Sequence, residues 1–181
     1  VCKIVDKENI DLILPTGPDV EPISKNAHLF EGKLFMSDYE SIVDCVDKWR
    51  FYNKCKDKFP LPKTFKGSKL FKKPIFGSGS RGCKKINITD EKSWKHFEKS
   101  DMLYSEYLPG QEYTIDVLCD MESNPLVVIP RKRLQTKAGI SSKGEIIKDD
   151  FIEKSCFDMC KFLNLKGPIC LQMKEDVNGV P

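Results

Sequence analysis

The sequence is 181 residues long, with 40% hydrophobic and 31% charged positions and a formal net charge of +3. Such a chain buries one core or two small ones, which excludes a disordered polypeptide. No apolar run approaches the roughly 20 residues that span a bilayer, and the opening Val1-Cys2-Lys3-Ile4-Val5-Asp6-Lys7 lacks a signal peptide's basic start and apolar middle. A cytoplasmic protein without a membrane partner is expected.

Taken in chain order, residues 2–9 form a polar segment and residues 10–15 (IDLILP) a short buried strand. Helical spacing follows over residues 19–30, where Val20, Ile23, Ala27 and Phe30 share a face. A second short strand is predicted at 33–36 and a longer helix at 39–58, capped by Ser37 or Asp38. This alternation implies part of a parallel α/β unit. Phe59-Pro60-Leu61-Pro62 ends the helix, because proline removes a donor and disfavours helix in the residue before it. A boundary near residue 60 therefore separates a first domain (1–60) from a second (61–181).

Beyond it the strands lengthen: 68–73, 82–86, 102–107, 111–119 and 126–133, with helices at 89–97 and 149–163 and a last strand at 167–174. Leu108-Pro109-Gly110 is a turn signal, so 102–107 and 111–119 are expected as a hairpin. Strands backed by two helices give an α+β domain after the α/β beginning.

The eight cysteines are scattered through apolar runs, as reduced core thiols are. No C-x-x-C occurs, and Cys156 and Cys160 have no histidine close by to complete a zinc site. His28 and His96 fall in amphipathic helices and receive no role.

The charge distribution is less even than its sum: from 58 to 85 there are nine Lys or Arg residues and no carboxylate, a stretch that calls for an anion. Within it lies KKPIFGSGSRG, residues 72–82. Its glycines let successive N–H groups converge on phosphate oxygens, serine hydroxyls add donors, and Arg81 adds charge. With no Gly-Lys-Ser/Thr following, it is not a Walker A loop. Lys73, at a strand end before Pro74, is placed to bridge outer phosphates, and Lys72 faces the other way. In LYSEYLPGQEYTIDVL, residues 103–118, Glu106 and Glu112 flank the turn. Their carboxylates suit ribose hydroxyls, and the backbone of Tyr107 and Leu108 suits the edge of a base. In IPRKRLQTKAG, residues 129–139, Arg131 and Arg133 share a strand face and suit a transferring phosphoryl group or a substrate carboxylate. Each of these segments alone also reads as a surface hairpin or a solvated strand end. Nucleic-acid binding through 58–85, with Phe59, Phe65, Phe71 and Phe76 interleaved, is disfavoured because those rings fit strand interiors better.

The order of segments resembles the ATP-grasp superfamily, and within it proteins similar to the large chain of carbamoyl-phosphate synthase. IDLILPT, the helix with Asp47-Lys48, FPLPKTF, KKPIFGSGSRG, EYLPGQEYTIDVL, RKRLQTKAG and GPICLQMKEDVNGVP fall in register over nearly the whole chain. The resemblance implies that Lys48 and Lys73 contact ATP phosphates and that Gly77, Ser78, Gly79, Ser80, Arg81 and Gly82 cover them. It implies that Glu106 and Glu112 frame the adenosine, that Gln172 approaches a magnesium ion, and that Arg133 lies near an acyl phosphate. The implied chemistry is ATP-dependent activation of a small carboxylate for attack by an amine, with ATP and Mg2+ as cofactors. A catalytically inactive, nucleotide-sensing domain is the alternative. Two departures stand out. Relatives continue past a segment like 176–181 into a strand bearing a magnesium-binding glutamate and asparagine, so turnover is expected to need more than this chain. The stretch between Pro62 and Lys73 is also shorter than in relatives. One module rather than two fused ones disfavours a complete carbamoyl-phosphate synthase.

Overall fold

The structure is a computed structural model and describes residues 1–30, 32–64, 69–77, 79–87, 101–137 and 139–181. The helix expected at 89–97 lies outside the described residues. Among those described, the chain forms helices α1 (Cys2–Lys7), α2 (Val20–Lys25), α3 (Tyr39–Val46), α4 (Lys48–Cys55) and α5 (Asp150–Phe162). Its strands are β1 (Lys69–Pro74), β2 (Lys84–Asn87), β3 (Met102–Glu106), β4 (Glu112–Cys119), β5 (Pro125–Lys137), β6 (Ile140–Ile146) and β7 (Gly167–Lys174). None of the described helices is long and apolar enough to cross a membrane.

The first sixty residues are more helical than the sequence pattern implies. Residues 2–7 wind into α1, and the two expected strands reduce to one parallel bridge between Ile13 and Leu34. The helix expected over 39–58 is two helices, because Asp47 leaves the helical region at φ −84°, ψ 105° and accepts from Trp49 N at 2.8 Å and Arg50 N at 3.0 Å. A carboxylate with two orphan N–H groups in reach starts a new helix at the expense of the old one. Asp38 is the N-cap position of α3 but makes no side-chain capping bond, its carboxylate accepting instead from Lys166 Nζ at 2.8 Å, while the Ser37 hydroxyl accepts from the Lys166 N–H at 2.8 Å.

Asp44, facing α4 from α3, accepts from Arg50 Nη2 at 2.7 Å and from Lys54 Nζ. Burial acts against its charge, but the hydrogen bonds and charges of Lys54 and Arg50 outweigh it and hold its pKa below 3.8. The folded state thus takes up this proton less readily than the unfolded one. The stabilisation is present above pH 3.8 and is lost as pH falls through the lower folded value. Asp44→Asn is expected to cost about 2 kcal/mol at neutral pH, as for a hydrogen bond to a charged group. Urea unfolding across the acid range should show the gap to the wild type closing below pH 3.8; a pH-independent gap contradicts this account.

Two antiparallel sheets build the rest. The smaller has order β2-β1-β3 and the larger β6-β5-β4-β7. Residues 102–106 and 112–119 therefore do not form the expected hairpin: β3 and β4 lie in different sheets, and 107–111 carry the chain from one to the other. Along β4, Tyr113, Ile115, Val117 and Cys119 point to one face and are buried against Ile152, Cys156, Met159 and Cys160 of α5, with Leu163 and Leu165. Each fully buried Leu or Ile here contributes roughly 1.5–3 kcal/mol by leaving water. Cys55 and, at its margin, Phe51, Phe59 and Leu61 join this core. Phe59 packs on Phe162 in a tilted pair with ring centroids 5.6 Å apart, half-buried and outside any strand, and Phe76 is 60% exposed, so neither takes the strand-interior place expected of it. Burial pushes the Cys45 and Cys156 thiols up to about 12, consistent with unreactive core groups. All eight cysteines are free, and among the described residues no three His, Cys, Asp or Glu side chains gather as a metal site.

Candidate nucleotide site between the two sheets

β1 ends at Pro74, and the chain turns back to β2 through the glycine-rich loop. Gly77 (φ +110°), Gly79 (+69°) and Gly82 (+73°) take left-handed conformations, and so does Ser80 (+57°). Only glycine reaches most of these without strain, which is why the loop folds back within so few residues. Ser78 lies outside the described residues. The loop does not stand free. A Cβ added to Gly139, in the turn between β5 and β6, would lie 2.6 Å from Ser80 Oγ and 2.8 Å from Gly79 C, so the tip rests on the larger sheet's hairpin.

Beneath the loop are two lysines. Lys73, on β1, has its pKa lowered by burial first and then by the nearby Lys48 charge, with Cys83 acting the other way. Its ammonium makes no hydrogen bond or ion pair among the described residues. Lys48, at the start of α4, is likewise lowered by burial. Its Nζ donates to Ile75 O at 3.0 Å and Gly77 O at 2.9 Å. Two desolvated cations lie together with no ion pair to either among the described residues, although the Asp47 charge favours the Lys48 ammonium; an anion would stabilise such a pair.

The crossing between the sheets carries the residues expected to meet base and ribose. Glu106 is anchored to the linker: its N–H donates to Lys63 O at 2.8 Å and its Oε1 accepts from Lys63 N at 2.9 Å. Tyr107 N–H pairs with Lys69 O at 3.2 Å. Among the described residues the Leu108 N–H makes no backbone hydrogen bond. Lys85 Nζ lies 4.1 Å from the centre of the Tyr107 ring.

The turn is fixed from beneath by residues that carry no signal of this role in the sequence. Glu175 accepts from Tyr113 OH at 2.5 Å and from Gln111 N at 3.1 Å, and its own N–H donates to Gln111 O at 2.9 Å. Burial, then this carboxylate, pushes Tyr113 up to about 12. Gln111 Nε2 donates to the carbonyls of Glu112 and Arg133. Gly110 packs so closely that a Cβ would lie 2.4 Å from Glu175 Cβ. The turn signal at 108–110 marks this place, but nothing in the sequence pairs it with Glu175.

On the face of the larger sheet opposite its core, Glu112, Thr114 and Asp116 of β4 sit with Arg131 and Arg133 of β5 and with Gln172 and Lys174 of β7, Thr114 being opposite both Arg131 and Gln172. Arg131 pairs with Asp116 at 2.7 Å. Arg133 has a side chain only 5% exposed and donates from Nη1 to Glu112 at 2.5 Å and from Nη2 to Gly139 O at 2.6 Å. Its Nε is buried and has no acceptor among the described residues. Lys174 approaches the other Glu112 oxygen at 3.8 Å. Glu112 and Arg133, expected in separate roles, thus form one ion pair. Gln172 is exposed on this face and offers one amide oxygen. Because Glu112 and Asp116 are neutralised by arginines, these residues do not make a metal cage by themselves; a magnesium ion here would arrive with nucleotide phosphates, as that ion ordinarily does.

The structure thus has two antiparallel sheets, with a glycine-rich loop between β1 and β2 and Lys48 and Lys73 beside it. Residues 45–169 match the ATP-grasp domain, and the chain belongs to the ATP-grasp family. The fold is similar to that of Campylobacter jejuni biotin carboxylase in complex with β,γ-ATP (TM-score 0.75, 14% identity, 98% of this chain and 48% of that one). It is also similar to Bacillus licheniformis L-amino acid ligase (0.73, 14%, 99% and 50%) and to Bacillus anthracis D-alanine–D-alanine ligase complexed with ATP (0.69, 16%, 100% and 69%). The chain spans about half the length of the first of these. No curated protein matches the sequence.

Proposed function

We propose that this chain is the nucleotide-binding module of an ATP-dependent carboxylate–amine ligase. The observation that carries the reading is the Lys73 ammonium, without a hydrogen-bond or ion-pair partner among the described residues, beside Lys48 and the glycine loop of an ATP-grasp fold. In this reading the loop and the lysines hold the triphosphate, Tyr107 and Leu108 meet the adenine edge, and Glu106 and Glu112 face the ribose. The γ-phosphoryl group passes to a carboxylate oxygen, leaving ADP and an acyl phosphate. An amine then attacks the carbonyl carbon and phosphate departs. A magnesium ion would supply positive charge against the negative charge developing in the transfer, and Gln172 would offer it an oxygen. In the same reading Arg133 lies near the acyl phosphate, its guanidinium held by Glu112 and the Gly139 carbonyl.

Nucleotide sensing without turnover is the second reading, favoured by the internal engagement of Arg133 and Glu112. Calorimetric titration with ATP and magnesium, with GTP as control, tests what the two readings share. Saturable binding that prefers ATP is expected; a folded sample that fails to bind at millimolar ATP removes both. ADP release dependent on an added small acid and magnesium then separates ligase from sensor.

A further inference from the structure

Lys48 makes three bonds to the beginning of the glycine loop. Its backbone N–H donates to Ile75 O at 3.3 Å, and its ammonium donates to the same carbonyl at 3.0 Å and to Gly77 O at 2.9 Å. The lysine is itself held in place, since Asp47 caps the first turn of α4 through Trp49 N and Arg50 N. On the other side, Ile75 N–H is bound to Asp101 O at 3.0 Å, so the peptide groups around Ile75 are fixed from both directions.

A planar trans peptide turns its N–H opposite to its C=O. The Ile75 carbonyl drawn to Lys48 therefore turns the N–H of the same peptide, that of Phe76, away from the lysine, and carbonyls spent on Lys48 take no part in opposing an anion at the loop's other side. Charge-assisted bonds to carbonyls are also among the stronger ones, and these are partly desolvated.

We infer that Lys48 is a positioning residue: it pins the carbonyls of Ile75 and Gly77 and so pre-shapes the glycine loop for phosphate, with two of its three ammonium donors spent on the loop itself. This rests on the proposed nucleotide site, although the pinning concerns the free protein as well. It differs from a lysine that acts only as a phosphate contact, because such a residue leaves the empty loop unchanged when removed.

The test is Lys48→Met, which keeps the stem and deletes the donors, with Lys48→Arg, whose fork can serve two carbonyls, and Lys73→Met for comparison. Amide hydrogen exchange over 75–83 in the nucleotide-free protein should rise about tenfold or more in Lys48→Met. It should return toward the wild type in Lys48→Arg and stay near the wild type in Lys73→Met. ATP affinity should fall about tenfold in Lys48→Met, with AMP affinity changed much less. Unchanged loop exchange in Lys48→Met, together with weakened ATP binding, overturns the inference in favour of a plain phosphate contact. Raised exchange with undiminished ATP affinity overturns its functional half. Should Lys48→Met fail to fold, Lys48→Gln, whose shorter amide cannot serve both carbonyls, decides by the same exchange measurement: loop exchange identical to wild type with the ATP affinity lowered speaks against pinning. If the wild type binds no ATP, the nucleotide site fails, and the exchange measurement still reports on the pin.

Discussion

Lys73→Met is expected to weaken ATP binding by roughly tenfold to a hundredfold while making the free protein more stable. The two effects share one cause. In the free protein the Lys73 ammonium is desolvated on β1, is repelled by Lys48, and has no acceptor among the described residues. Methionine fills the same space without a charge, so the free state gains about 1 kcal/mol, at the low end for an unsatisfied buried group. For a chain of this size that raises the melting temperature by roughly 2–4 °C. When a polyphosphate is bound, the wild-type lysine finds the acceptor it lacked. Hydrogen bonds to charged groups are worth about 1.5–3 kcal/mol, and each 1.4 kcal/mol is about tenfold in affinity.

The pH dependence gives a second check. The folded pKa of Lys73 lies below 10.5, so the unfolded chain binds this proton more readily than the folded one. The lysine's penalty is therefore full at neutral pH and shrinks as pH rises toward 10.5. The melting-temperature difference between variant and wild type should narrow on that approach. A variant that melts below the wild type and binds ATP equally well would show that Lys73 is an ordinary structural cation.

What the sequence made legible was local. The glycine loop announced itself because three glycines set between two apolar runs weaken any helix or strand and suit a tight backbone turn. β7 was bounded correctly by Gly167 and Lys174. β6 was missed because ISSKGEI has almost no apolar alternation, and it is held as an outer strand by its pairing with β5. The break at Asp47 was missed because apolar spacing continues across it; only the capping bonds distinguish one helix from two. The candidate site divides in the same way. Lys73, the loop and the turn at 108–110 could be found by residue type. The use that each side chain is put to could not, because Lys48 bonds 29 residues away and Arg133 bonds a glutamate 21 residues back, across strands whose register the sequence does not display. Glu106 and Glu112 looked like one acidic pair because the sheet change between them is invisible until β3 and β4 are assigned to different sheets.

Gly139→Ala is expected to lower ATP affinity about tenfold while leaving AMP binding nearly unchanged. The added methyl group would sit 2.6 Å from Ser80 Oγ, 2.8 Å from Gly79 C and 2.9 Å from Gly79 O. The serine hydroxyl can swing aside, but the Gly79 backbone cannot give way without moving the loop tip. Displacing the tip removes donors from the phosphates and leaves the adenosine end, at 106–112, in place. The same glycine has φ +78°, where alanine costs roughly 1–2 kcal/mol whatever surrounds it. Gly32 separates strain from collision, since it has the same φ of +78° with nothing within 4 Å of an added Cβ. Gly32→Ala and Gly139→Ala should therefore lose similar stability in urea unfolding, and only Gly139→Ala should lose ATP affinity. Equal affinities in the two variants would mean that the contact between the hairpin and the loop has no bearing on the nucleotide. A loss confined to Gly139→Ala would make the β5–β6 turn the seat on which the loop closes, and, through the bond from Arg133 Nη2 to the Gly139 carbonyl, would tie that seat to Glu112 at the other end of the cleft.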